Sequence, residues 1–83
     1  MTTNAITKKI LIIGGSGFIG ASICEYLVKE KIKVTAAVRT QPLHPINGVK
    51  YIITGDFNNY TGWTKLLQEC FGVVFAAGLA HIK

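Results

Sequence analysis

Apolar residues along this chain fall into short continuous runs, separated by stretches with helical spacing. Lys9 to Ile13 is a β-branched and Leu run that ends at Gly14-Gly15, the pattern of a strand buried on both faces. Gly17 to Lys31 reads as a helix, with Ile19, Ile23 and Leu27 every four residues and Cys24 and Val28 beside them. Ser22, Glu25 and Lys29 form its wet face, Glu25 and Lys29 being a favourable i,i+4 pair. Ile32 to Val38 is a second strand. Arg39 to Gly48 holds Pro42 and Pro45 and reads as loop. Val49 to Thr54 is a third strand, closed by Gly55-Asp56. Trp63, Leu66, Leu67 and Cys70 then follow i, i+3, i+4, i+7, predicting a short helix over Thr61 to Glu69 capped by Thr61 or Asn59. Phe71 to Ala77 is a fourth strand, and Gly78 to Lys83 begins a further segment.

Largely apolar strands that alternate with helices predict a parallel sheet with helices on its faces. Right-handed crossovers favour the spatial order 3-2-1-4. The expected architecture is α/β and doubly wound, with four parallel strands and one helix per face. The expected organisation is a flexible N-terminus over residues 1–7 and one domain over 8–83.

The chain has 83 residues, 49% of them hydrophobic and 16% charged, which excludes disorder and leaves room for one small, marginally stable domain. Its net charge is +5, but the basic residues are scattered, so no nucleic-acid-binding arm is indicated. The excess charge reads as serving solubility, or alternatively as drawing in a polyanionic ligand such as a dinucleotide. Cys24 and Cys70 have no metal-ligand spacing and read as small core residues; no metal is expected. The polar start and the short run Ile10 to Ile13 fit neither a secretory signal nor a membrane span, so a cytoplasmic protein is expected. Asn59-Tyr60-Thr61 matches a glycosylation acceptor by chance.

The chemistry concentrates in Gly14-Gly15-Ser16-Gly17-Phe18-Ile19-Gly20, which follows a predicted strand and opens a predicted helix. Early glycines let the chain turn tightly. A middle glycine lets backbone approach a pyrophosphate, and the last lets helix pack closely on strand. N–H groups at the helix start then hold phosphates. Two registers fit: Gly15, Gly17 and Gly20, or Gly14, Gly17 and Gly20. Either predicts dinucleotide binding on a partial Rossmann fold.

Three further positions extend that site. Val38 stands eighteen residues after Gly20, where an acid would bond the ribose of NAD, and Arg39 follows. No acid occurs from Lys31 to Gly55, and an Arg there pairs with a 2′-phosphate, so NADP is favoured over NAD. Asp56, followed by Phe57, is placed to accept from an adenine amino group; its alternative role is to start the turn into Asn58-Asn59. Ala76-Ala77-Gly78 leaves space for a ribose or nicotinamide, or simply packs closely.

Together, the glycine turn, Gly55-Asp56 and Val73-Val74-Phe75-Ala76-Ala77-Gly78 resemble the start of extended short-chain dehydrogenases. More closely they resemble the NAD(P)-dependent epimerase/dehydratase group that acts on nucleotide sugars. The resemblance maps that family's glycine motif to Gly14, Gly17 and Gly20, and its adenine-contacting acid to Asp56. Its small-residue motif maps to Ala76, Ala77 and Gly78. Ala80-His81-Ile82 is also similar to members associated with bacterial surface polysaccharides. Ile13 departs from the Thr common there, and Val38 from the Asp of NAD-using members.

The family's catalytic centre is a Tyr-x-x-x-Lys pair. Four residues beyond Tyr26, Tyr51 and Tyr60 stand Glu30, Gly55 and Thr64, none of them Lys. His44 and His81 have no acid partner nearby and read as non-catalytic. No catalytic residue is assigned. The expectation is the coenzyme-binding opening of a larger enzyme, inactive by itself, that meets a nucleotide sugar only when completed by a C-terminal part. Other readings are a stand-alone dinucleotide-binding module or subunit, and the inert product of a truncated gene. A chain ending near strand four would expose an apolar sheet edge and is expected to self-associate.

Overall fold

The structure is a computed structural model and describes residues 9–76. The expectations placed on residues 1–7, Ala77, Gly78 and His81 lie outside the described residues. Four strands, β1 (Lys9–Ile13), β2 (Lys33–Val38), β3 (Val49–Ile53) and β4 (Gly72–Phe75), form one sheet in the order β3-β2-β1-β4. All three pairings are parallel. Helix α1 (Phe18–Lys29) joins β1 to β2, and α2 (Trp63–Glu69) joins β3 to β4. This is the expected α/β, Rossmann-like partial fold.

Side-chain alternation along the strands divides the core between two faces. Ile12, Val34, Ala36 and Val38 pack with Cys24 of α1. Leu11 and Ala37 pack with Leu66 of α2 on the opposite face. The central strands β1 and β2 carry most of the fully buried side chains, because each has a strand on either side and a helix on either face.

Three boundaries differ from expectation for identifiable reasons. Helix α1 faces the sheet along Gly20, Cys24, Ile23, Leu27 and Val28, as expected except at Ile19. Gly20 and Cys24 are the buried positions, and Ile19 is exposed. Having no side chain, Gly20 lets the helix approach the preceding turn, and the contact line passes through it. Helix α2 begins at Trp63 rather than Thr61, and Gly62 occupies its cap position without a side-chain cap bond. Aromatic packing sets this start instead. Trp63 stands edge-on to both Phe57 and Tyr60, with ring centroids 5.8 and 5.0 Å away. Its indole N–H donates to the Phe57 carbonyl at 3.1 Å. A Cβ at position 62 would fall 2.6 Å from Cζ of Tyr60, so glycine leaves room for that ring. Strand β4 is shorter than the apolar run Phe71 to Ala77, because only Gly72–Phe75 holds register with β1.

Of the two cysteines, Cys24 is fully buried and Cys70 only partly so. Burial raises the Cys24 thiol above its ordinary value of 9.0. Burial also raises Cys70, opposed by nearby Lys9 and assisted by Glu69. A raised thiol pKa gives stability that is present below the unfolded value and lost as pH rises through the folded one. In the folded chain at about pH 8, an aromatic disulfide reagent is therefore expected to modify Cys70 slowly and Cys24 only on unfolding. Equal rates would mean that the α1 face opens readily.

Candidate functional site

The turn between β1 and α1 is built by glycines with different jobs. Gly14 lies at φ +89°, in the left-handed region that favours glycine, and extends the sheet by donating its N–H to the Ala37 carbonyl at 2.8 Å. Gly15 is buried: a Cβ there would lie 2.7 Å from the Ala36 Cβ and 3.4 Å from the Cys24 Sγ. At Gly20 a Cβ would overlap the Gly14 carbonyl oxygen and lie 2.8 Å from the Gly15 Cα. Gly17 is different. A Cβ there would meet only the Gly14 oxygen, at 3.9 Å, and its φ of −76° suits any residue. Three of the four glycines are thus required by the fold, while Gly17 faces open space.

Helix α1 starts directly after Gly17, whose carbonyl accepts the Ala21 N–H at 2.8 Å. The N–H groups of the first helical turn have no carbonyl upstream within the helix, and the macrodipole adds partial positive charge there. No acidic residue occupies that turn.

These groups open on a cleft of about 370 Å³ at the carboxyl ends of the strands. Gly14, Ser16, Gly17, Phe18, Ile19 and Gly20 form one wall; Arg39, Phe57 and Ala76 reach it from beyond β2, β3 and β4. Gly15 lines a neighbouring cleft of about 490 Å³ between α1 and the loop after β2. Asp56 does not line the glycine cleft. It borders a third cleft, of about 730 Å³, to which Arg39 and Phe57 also contribute. Arg39 and Phe57 therefore stand where two clefts meet. Among the described residues Arg39 makes no hydrogen bond or ion pair, which leaves its guanidinium free for a ligand.

Val38, the position where the sequence pattern places an acid, is fully buried among the residues facing α1. The residue that reaches the cleft from this strand is Arg39. Asp56 shapes the turn after β3: its Oδ1 accepts the Asn58 N–H at 3.0 Å, and its carbonyl accepts the Asn59 N–H at 3.0 Å. Thr40 lines both clefts beside the glycine turn, and Trp63 and Phe75 line the Asp56 cleft; sequence reading singled out none of the three for this site. Thr40 had a positional signal, since it follows a strand end. Phe75 read as core because its run was wholly apolar.

Among the described residues no three His, Cys, Asp or Glu side chains gather as a metal site, and no helix is long and apolar enough to cross a membrane.

A parallel sheet in the order β3-β2-β1-β4, with a glycine-built turn after its first strand, defines a Rossmann-like α/β module. Residues 10–83 match the model of the NAD dependent epimerase/dehydratase family, and the chain belongs to that family. Membership implies an NAD-binding, oxidoreductase-like module. No curated protein and no solved structure matches the chain.

Proposed function

We propose that the chain binds a nicotinamide dinucleotide across its strand ends, as the coenzyme-binding part of an oxidoreductase acting on a nucleotide sugar. The observation that carries this reading is Gly17. Alone among the glycines of the turn, it is not required by the packing around it, and it stands at the open wall of the cleft. A missing side chain there serves a ligand, by letting backbone approach a pyrophosphate. The free N–H groups of the first turn of α1 fit the same charge.

The other residues take places along the same ligand. Ile19, displaced from the core, gives the cleft an apolar wall beside the turn. Asp56 spends Oδ1 on its own turn and keeps Oδ2 for an adenine amino group. Ala76, a single methyl at the cleft wall, leaves room for ribose or nicotinamide. When bound, the coenzyme supplies a hydride acceptor. This chain's residues hold and orient it. None of Tyr26, Tyr51 and Tyr60 is followed four residues on by Lys, so in this proposal residues 1–83 bind without performing proton transfer.

We further propose NADP over NAD. Arg39 is the one cation lining the glycine cleft among the described residues, and no acid lines that cleft with it. A charge-assisted contact contributes about 1.5–3 kcal/mol, or roughly 10- to 150-fold in affinity. Arg39→Ala is expected to weaken NADPH binding by that factor and NADH binding by less than about threefold, in a fluorescence titration. An unchanged NADPH affinity would remove the preference, and a parent chain that binds neither coenzyme would remove the whole reading.

A further inference from the structure

Arg39 and Asp56, the two side chains assigned to the adenosine end, follow different strands, and one residue ties their backbones together. Thr54 directly follows β3. The β2–β3 register ends at Val38↔Ile53, so Thr54 is the first residue past the paired ladder. Its N–H donates to the Val38 carbonyl at 2.8 Å. Its hydroxyl lies 2.9 Å from the Gly55 carbonyl oxygen and 3.3 Å from the Val38 carbonyl oxygen, and its one proton is shared between them. The Val38 carbonyl belongs to the planar peptide unit that carries the Arg39 N–H. The Gly55 carbonyl belongs to the unit that carries the Asp56 N–H. One hydroxyl thus bridges the two peptide planes from which Arg39 and Asp56 start.

The surroundings leave this bridge a distinct job. Val38 is fully buried on the α1 face, which fixes the near side of the Arg39 backbone. Beyond Arg39 the chain forms no helix or strand before Val49. Gly55 lies at φ +71°, in the left-handed region, and a Cβ there would meet nothing within 4 Å. Neighbouring atoms therefore do not wedge this turn in place, and the Thr54 hydroxyl supplies the tie. Arg39 and Asp56 then border the same cleft of about 730 Å³. A valine at position 54 would keep the β-branch and the backbone bond to Val38, so the hydroxyl alone makes the bridge.

We propose that Thr54 is a positioning residue that fixes the separation of Arg39 from Asp56 and matches it to a nucleotide with a phosphate on its adenosine ribose. The inference rests on the coenzyme-binding reading above. A ligand with both an adenine amino group and a 2′-phosphate engages both side chains at once, so their separation enters its affinity. A ligand without that phosphate engages Asp56 alone and is indifferent to the separation. Thr54 acts through the two backbones, by preorganising the side chains before the ligand arrives.

Fluorescence titration of the 83-residue chain with NADPH and with NADH tests this. Thr54→Val is expected to weaken NADPH binding roughly 3- to 10-fold and NADH binding by less than about twofold. Its melting midpoint should stay within about 5 °C of the parent's. Thr54→Ser restores the hydroxyl and is expected to bind NADPH within about twofold of the parent. On an Arg39→Ala background, where only one of the two side chains remains, Thr54→Val should cost NADPH less than about twofold. Should Thr54→Val unfold, Thr54→Ala carries the same expectations. Equal losses for NADPH and NADH, or a loss that persists in full without Arg39, would make Thr54 a structural residue and overturn the proposal. An unchanged NADPH affinity in the folded variant overturns it as well. A parent chain that binds neither coenzyme overturns the underlying reading, and this inference with it.

Discussion

Gly20→Ala is expected to lower the melting temperature by about 10–20 °C, or to leave the chain unfolded. The added Cβ would overlap the Gly14 carbonyl oxygen and lie 2.8 Å from the Gly15 Cα. Both neighbours are backbone, so no side chain can rotate away. Either the turn opens, or α1 lifts and withdraws Cys24 from the core it shares with Ile12, Ala36 and Val38. Overpacking of this kind costs about 1–3 kcal/mol, and more where backbone cannot yield. In a domain of this size each kcal/mol moves the midpoint by about 4–8 °C. A small chain begins near the low end of the ~5–15 kcal/mol typical of folded proteins. Thermal melting followed by circular dichroism measures the shift. A midpoint within about 2 °C of the parent would mean that the close approach of α1 to the turn is not a feature of the molecule.

Gly17→Ala is expected to do the reverse, leaving the fold intact and removing coenzyme binding. Its Cβ would meet nothing nearer than 3.9 Å, and φ −76°, ψ 173° is ordinary backbone for alanine. At a helix N-cap the exchange costs a few tenths of a kcal/mol or somewhat more, so the midpoint should move by less than about 5 °C. The methyl group would stand where backbone must approach a pyrophosphate, and affinity should fall on the order of 100-fold. Titration of the folded variant with NADPH is the measurement. Binding equal to the parent's would place the phosphates elsewhere. The two glycines lie three residues apart, so the pair separates loss of fold from loss of site within one turn of chain.

Much of this architecture could be read from residue order. The runs at Lys9–Ile13 and Lys33–Val38 are apolar on both faces because each strand is covered twice, and the handedness of crossovers leaves few strand orders to choose from. The glycine turn was legible because its neighbours identify it as a strand-to-helix junction. What escaped was decided by contacts distant in sequence. Ile19 has helical spacing with Ile23, yet the contact line runs through Gly20, whose value lies in what it lacks. Thr61 and Asn59 have capping chemistry, yet the start of α2 is set by Trp63 packing on Phe57 and Tyr60. Arg39 was legible as a residue after a strand, but its place between two clefts depends on where Phe57 and Asp56 come to rest.

The single tryptophan acquires an experimental meaning from its position. Trp63 is tied by its indole N–H to the Phe57 carbonyl, and both side chains border the cleft that holds Asp56. Its emission therefore responds to two separable events: loosening of the segment from Asp56 to Trp63, and arrival of a ring in the neighbouring cleft. The chain carries a built-in optical probe at the adenine end of the proposed ligand, so occupancy there can be followed without attaching a label.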